Sequence, residues 1–142
     1  MAALYPSDQW IKDLQKICNE DQGFKEACGD FAGKFVFQIE AEAGKLDKPA
    51  YLFLCVDQGE AKEAKALSSP DERPDAEYVI TGKYSVWKNE VQAKQEPLRA
   101  IMTRRLRLIK GSQFTVLKQA KFAMKMINNC TKVAAVFVDE KA

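Results

Sequence analysis

The sequence has no histidine among its 142 residues. This absence removes the commonest general base, the commonest transition-metal ligand and every Ser-His or Cys-His nucleophile pair. Cysteine is present only at positions 18, 28, 55 and 130, and no two of these form a Cys-x-x-Cys motif, so neither a thiol redox centre nor a zinc site is predicted. We therefore expect a protein that is not an enzyme and that holds no cofactor and no metal.

Long hydrophobic runs are also missing. No apolar stretch approaches the roughly 20 residues that cross a bilayer. The opening MAALYPSDQW lacks a basic segment followed by a long apolar one, and the chain does not end in Ser-Lys-Leu, so neither a secretory nor a peroxisomal signal is predicted. We expect a cytoplasmic location, and the length predicts a single domain over residues 1–142.

Acidic residues are absent from residues 97–138, which hold nine Lys or Arg and many apolar residues. Residues 1–96 have the opposite balance, with 18 acidic and 12 basic side chains, so the formal net charge of +2 conceals an uneven distribution. A basic and apolar surface suits contact with anionic membranes or amphiphiles. It would also attract nucleic acid, but no Gly-rich phosphate loop or RNP-like motif is present, so nucleic acid is not the predicted partner.

The spacing of apolar residues predicts both helices and strands. Apolar residues recur every three or four positions in the segments predicted as helices, which are 8–19, 24–31, 85–95, 97–102 and 113–129. Alternation and buried apolar runs predict strands at 35–41, 51–56, 60–67, 77–82 and 105–110. Residues 60–67, EAKEAKAL, favour a helix by composition, but their position after the hairpin turn Asp57-Gln58-Gly59 favours a strand, which we predict.

The final predicted helix is amphipathic. On a projection of 100° per residue, one broad arc contains Val116, Leu117, Ala120, Ala123, Met124 and Ile127, and three lysines lie opposite. Phe114 and Phe122 project beside the lysines, which predicts insertion of both rings into a membrane headgroup layer. The alternative is that both rings pack on neighbouring elements or on the apolar tail at 133–138.

The segment TGKYSVWKNEVQAKQEPLRAIMTRRLRLIKGS, residues 81–112, resembles the sterol carrier protein 2 family. The resemblance depends on the order and spacing of Trp87, Glu96-Pro97, Ala100, Met102, Leu106, Leu108, Lys110, Gly111 and Ser112. The N-terminal SDQWIKDLQKICNEDQGFKEA is similar to the opening helices of stand-alone microbial members. Two departures lie before and within the last predicted strand, because Arg104 stands where many members have glycine and Ile109 where lysine is frequent.

The resemblance implies an α+β fold, in which helices cover one face of a five-stranded, mostly antiparallel mixed sheet and an apolar tunnel lies between the layers. It implies a non-catalytic intracellular carrier that binds fatty acid, fatty acyl-CoA, sterol or phospholipid and exchanges it with membranes through transient contact. An accessory or regulatory module that binds a protein partner, or presents lipid to one, remains an alternative.

Two sets of residues follow as candidate sites. The lipid body is expected to contact Trp87, Val91, Leu98, Ile101, Met102, Leu117, Met124 and Ile127, and the flexible methionines suit varied ligand shapes. The headgroup or the membrane surface is expected to contact Arg99, Arg104, Arg105, Arg107, Lys110, Phe114 and Phe122. The alternatives are a filled core for the first set and a solvated edge for the second.

Overall fold

Two sheets form the β-structure of this computed structural model, which describes residues 2–92 and 97–140. The strands are β1 (Ala3–Tyr5), β2 (Ala32–Glu40), β3 (Ala50–Asp57), β4 (Glu60–Leu67), β5 (Tyr78–Lys83), β6 (Leu106–Lys110) and β7 (Ala135–Phe137). The larger sheet has the spatial order β4-β3-β2-β5-β6. Its neighbouring strands are antiparallel except β2 and β5, which are parallel, so the predicted five-stranded mixed sheet is confirmed.

The helices lie before, between and after the strands of this sheet. They are α1 (Asp8–Asn19), α2 (Gln22–Cys28), α3 (Tyr84–Val91), α4 (Pro97–Met102), α5 (Gln113–Lys118) and α6 (Ala120–Cys130). Ser7 caps α1 by accepting a hydrogen bond from the main-chain N–H of Trp10, and Pro97 begins α4 as predicted. None of the helices in the described ranges is both long enough and apolar enough to span a membrane.

The β3–β4 hairpin shows why residues 60–67 form a strand. Gln58 and Gly59 have φ values of 50° and 80°, the two positive values that a tight type I′ turn requires. The Asn19 side chain then binds both main-chain groups of Ala61, at 2.7 Å from the Ala61 N–H and 3.0 Å from its carbonyl oxygen. Hairpin geometry and docking on α1 therefore outweigh the helix propensity of Ala, Glu and Lys.

Two features of the C-terminal part differ from the prediction. The segment 113–129 was predicted as one helix, but it divides into α5 and α6 at Gln119, whose φ and ψ are −97° and 42°. The strand at 105–110 was predicted to be the last, but β7 follows it and pairs in parallel with β1.

The two faces of the large sheet are covered differently. Helices pack against one face and bury the main core, which includes Phe35, Ile39 and Leu54. On the other face a smaller cluster, Val36, Phe53, Val79 and Ala76, is buried, and the guanidinium of Arg73 lies 3.8 Å from the Phe53 ring centroid. The main core therefore lies between the helices and this face of the sheet.

Candidate ligand-binding site

An apolar cavity lies between the centre of the sheet and the helices. Its sheet side consists of Phe35 and Phe37 from β2, Ile80 from β5 and Leu106 from β6. These residues share one face because side chains alternate along a strand. The predicted alternation of residues 35–39 thus places two aromatic rings on the cavity floor.

The helices supply the rest of the wall. The first cavity has a volume of about 80 Å³, and its walls are almost entirely apolar. The lining residues from outside the sheet are Phe31, Trp87, Glu90, Ile101, Val116, Gln119, Phe122, Ala123, Met126 and Ile127.

A second apolar cavity, of about 50 Å³, adjoins the first. Both cavities are lined by Phe37, Trp87, Met126 and Ile127, so these four side chains separate them. The Trp87 indole is fixed in this partition because its Nε1 donates a 2.9 Å hydrogen bond to the carbonyl oxygen of Gln38. The remaining wall of the second cavity comes from Tyr5, Trp10, Ile11, Leu14, Ile39, Leu52, Val91 and Cys130.

Each cavity also shares wall residues with an open groove on the surface. The first groove, of about 390 Å³, shares Ile101 and Leu106 with the first cavity. The second groove, of about 370 Å³, shares Trp10, Val91 and Cys130 with the second cavity. From the first groove through the two cavities to the second groove, each space thus shares wall residues with the next.

Phe122 belongs to the interior, so its predicted exposure beside the lysines is wrong. The residue is only 6% exposed and lines the first cavity. Its ring centroid lies 5.2 Å from that of Phe31, 5.8 Å from that of Phe24 and 5.9 Å from that of Phe35. Phe114, by contrast, is 70% exposed, as its position beside the lysines predicted.

The residues expected to contact the lipid body are distributed unevenly. Trp87, Val91, Ile101 and Ile127 line one or both cavities. Met124 is 50% exposed and Met102 is 67% exposed, and neither lines a cavity, so their predicted inward position is wrong in this structure. Leu117 is half-buried against the core, and the side chain of Leu98 lies outside the described residues.

The basic candidates lie around the first groove and along β6. Arg104 and Arg107 line the groove. Arg99 and Arg105 are exposed but do not line it. The Arg107 guanidinium pairs with Glu40, and the Lys110 ammonium donates a 3.1 Å hydrogen bond to the carbonyl oxygen of Pro74. The five basic candidates therefore do not form one cluster.

Several wall residues escaped the sequence analysis. Phe35, Phe37 and Ile80 lie in segments that were predicted as strands, but the chain offers no local signal that they line a cavity. Met126 and Phe31 were not assigned to the site either. A cavity depends on how side chains from distant segments fail to meet, which the spacing of residues along one segment does not determine.

The cysteines do not form a reactive centre. All four are free, and three of them, Cys18, Cys28 and Cys130, are buried. Burial raises the pKa of the Cys18 thiol to about 11, and burial also raises the pKa of Cys130. A thiol with a raised pKa is a poor nucleophile at neutral pH. Within the described part of the chain, no group of three or more Cys, Asp or Glu side chains could hold a metal ion.

Comparison with known proteins agrees with this geometry. The model of the SCP-2 sterol transfer family matches residues 14–124, and the chain belongs to that family. A comparison with curated protein sequences gives no significant match.

Solved structures of sterol carrier proteins have the same fold. A crystal structure of sterol carrier protein 2 gives a TM-score of 0.81 at 23% identity, covering 90% of this chain and 98% of that one. The solution structure of a conserved hypothetical protein of Thermus thermophilus, described as possibly a sterol carrier protein, gives a TM-score of 0.83 at 20% identity, covering 96% of this chain and 94% of that one. The apo form of sterol carrier protein 2 of Yarrowia lipolytica gives a TM-score of 0.57 at 17% identity, covering 92% of this chain and 98% of that one. The predicted family and fold are thus confirmed, and they support a role in lipid binding or transfer.

Proposed function

We propose that the protein is a non-catalytic lipid carrier that holds the hydrocarbon part of one amphiphile in the two cavities and exchanges it with membranes. The observation that carries this proposal is the pair of adjoining apolar cavities between sheet and helices. Fatty acid, fatty acyl-CoA, sterol and phospholipid all contain a hydrocarbon part of the kind that such walls accept.

The energetics favour occupation of the cavities. At about 24 cal/mol per Å³, empty spaces of 80 and 50 Å³ cost roughly 2 and 1 kcal/mol of stability. Each methylene moved from water into such a site contributes about 0.8 kcal/mol. Phe37, Met126 and Ile127 line both spaces beside the fixed Trp87. Small rotations of these three side chains would join the two cavities into one tunnel for a longer chain.

The proposed membrane-contact surface, defined here as Met102, Phe114 and Met124, lies on the helices that cover the first cavity. These are exposed apolar side chains in a stretch of sequence with nine basic residues and no acidic one. The Lys118 ammonium lies 4.9 Å from the Phe114 ring centroid, which places a positive charge beside the most exposed ring. Anionic lipid headgroups would bind such a combination.

Bromine quenching of tryptophan fluorescence tests where the chain lies. The protein has two tryptophans, of which Trp87 lines both cavities and Trp10 only the second. In Trp10→Phe, fatty acids brominated near mid-chain should quench Trp87. In Trp87→Phe, only bromines near the methyl end should quench Trp10. Equal quenching of both by every isomer, or none, would contradict the proposed path.

Native mass spectrometry of the purified protein tests the proposal independently. We expect a bound amphiphile at a ratio of one per chain, and recovery of no lipid together with no binding of a labelled fatty acid would argue against a carrier.

Transfer between donor and acceptor vesicles separates the two roles left open by the sequence. Binding without any acceleration of transfer would favour a module that presents lipid to a protein partner.

A further inference from the structure

The turn that ends α4 contains an arginine in a conformation that favours glycine. Arg104 has a φ of +63°, in the left-handed region where a side chain is strained. Its N–H donates to the carbonyl oxygen of Ile101 at 3.1 Å, and the N–H of Arg105 donates to that of Ala100 at 2.9 Å. These two bonds are those of a Schellman motif, in which the position of Arg104 is usually glycine.

The position of this turn gives the strain a functional meaning. Arg104 lines the first groove together with Gln113, and the groove shares Ile101 and Leu106 with the first cavity. Among the described residues no Asp or Glu lines this groove. A strained residue in a polar groove that shares wall residues with an apolar cavity is a candidate binding residue, because strain concentrates at functional sites.

Arg107 contributes less charge to the same groove. It lies between Leu106 and Leu108 on β6, so its side chain leaves the sheet on the face opposite to theirs. There its guanidinium pairs with the carboxylate of Glu40, which also accepts a 2.7 Å hydrogen bond from the Thr81 hydroxyl. The positive charge of Arg107 is therefore balanced, and among the described residues that line the groove Arg104 is left as the main positive charge.

We propose that Arg104 selects anionic amphiphiles, binding a carboxylate or phosphate headgroup in the groove while the alkyl chain passes between Ile101 and Leu106 into the first cavity. This inference rests on the proposed carrier function and specifies its ligand class. A guanidinium presents paired N–H donors that match two oxygens of one anionic group. A sterol or alcohol hydroxyl offers a single uncharged oxygen and gains much less from this contact.

Three amphiphiles with the same alkyl chain test the proposal by isothermal titration calorimetry: decyl phosphate, decanoate and 1-decanol. We expect the wild-type protein to bind both anions more tightly than the alcohol. Arg104→Gly should weaken the binding of both anions ten- to hundredfold, as expected for loss of a charge-assisted bidentate contact. The affinity for the alcohol should change by less than twofold. Arg104→Lys should keep part of the anion affinity. Lys132→Ala removes the same charge from an exposed site outside the groove and should have less than a threefold effect.

The thermal stability of Arg104→Gly provides a second readout, because the substitution should raise stability while it lowers anion affinity. Because glycine relieves the strain at a positive φ, the melting temperature of the ligand-free variant should rise by about 3 °C. A gain in stability combined with a loss of anion affinity distinguishes a binding residue from a structural one. A fall in melting temperature, or a loss of affinity that is equal for the alcohol, would overturn the proposal.

The controls also separate this inference from the proposed function. If the wild-type protein binds 1-decanol but shows no preference for the anions, the role of Arg104 is wrong and the carrier function stands. If none of the three probes binds, the carrier function itself fails. Inorganic phosphate should bind at least a hundredfold more weakly than decyl phosphate, and equal affinity would show a site for free phosphate, which overturns the lipid headgroup assignment.

Discussion

The indole Nε1 of Trp87 donates a 2.9 Å hydrogen bond to the main-chain carbonyl oxygen of Gln38. This bond joins α3 to β2 across the layer that contains both cavities, and it holds the largest side chain of the partition in one orientation. The stability of the fold and the shape of the site therefore depend on the same contact.

Trp87→Phe should lower the free energy of unfolding by about 1–3 kcal/mol, because it leaves the Gln38 carbonyl oxygen without its indole donor and removes part of a buried ring. Urea denaturation followed by circular dichroism measures this change. Trp10→Phe is the control, since it removes a similar ring volume from a wall of the second cavity and keeps the Trp87 bond. An equal or larger loss in the control would show that the hydrogen bond contributes little.

Ala123→Leu should stabilise the ligand-free protein and weaken lipid binding. Ala123 lines the first cavity, and three additional carbons would fill much of its space, a change worth up to about 1–2 kcal/mol. Denaturation in the absence of lipid and titration with a fluorescent fatty acid measure the two effects. Ala120→Leu is the matched control, because Ala120 packs against the core in the same helix but does not line the cavity. Unchanged affinity in Ala123→Leu would place the ligand elsewhere.

The fold could be predicted well where local patterns and chain context agree. The strand at Glu60–Leu67 followed from the hairpin turn before it, despite a composition that favours a helix. The pairing of Ala3–Tyr5 with Ala135–Phe137 could not be predicted in this way. Each partner is only three residues long, and the two lie at opposite ends of the described chain, so neither carries a local signal.

The direction of Phe122 was mispredicted for a specific physical reason. The projection treated 113–129 as one continuous helix, in which Phe122 lies far from the face of Val116. The break at Gln119 resets the helical phase, and α6 then buries Phe122, Met126, Asn129 and Cys130 on one face. The same break turns Met124 outward. A projection is valid only within an unbroken helix.

Phe114→Ser should weaken binding to anionic vesicles by roughly five- to thirtyfold, because the ring is exposed in the free protein and would bury apolar area in the headgroup layer. Cosedimentation with phosphatidylserine-containing vesicles measures the effect. Added salt should weaken the binding of both the wild-type protein and Phe114→Ser. Leu4→Ser is the control, since Leu4 is also exposed but lies on the two-stranded sheet. Equal losses for the two variants would contradict the proposed membrane-contact surface.

The C-terminal segment is held against α3 by Asp139. Its carboxylate accepts hydrogen bonds from the Tyr84 hydroxyl at 2.7 Å and from the Lys88 ammonium at 3.0 and 3.1 Å. Burial alone would raise the pKa of Asp139, but the hydrogen bonds from Tyr84 and Lys88 outweigh burial and hold it below its ordinary value. A lowered pKa in the folded state means that the stabilisation is complete above the unfolded-state pKa of about 3.9 and is lost as the pH falls below it.

Asp139→Asn should therefore lower the free energy of unfolding by about 1–2 kcal/mol at pH 5–7, with the difference from the wild-type protein shrinking below pH of about 4. Denaturation at several pH values measures this convergence. Glu140→Gln is the control, because Glu140 also pairs with Lys88 but is largely exposed, so its effect should stay below about 0.5 kcal/mol. If the difference in free energy of unfolding between the wild-type protein and Asp139→Asn persists unchanged at pH 3, it does not arise from the charge of Asp139.

The break at Gln119 has a consequence for the rate of ligand exchange. Val116 is the buried residue of α5, whereas α6 is anchored by Phe122, Met126 and an ion pair of 3.2 Å between Lys125 and Asp21. Detaching six residues exposes much less apolar area than lifting the whole span 113–130, and local opening becomes faster as its free energy falls. In amide hydrogen exchange α5 should therefore lose protection well before α6. If the proposed carrier function holds, opening of α5 would set how quickly a bound lipid leaves.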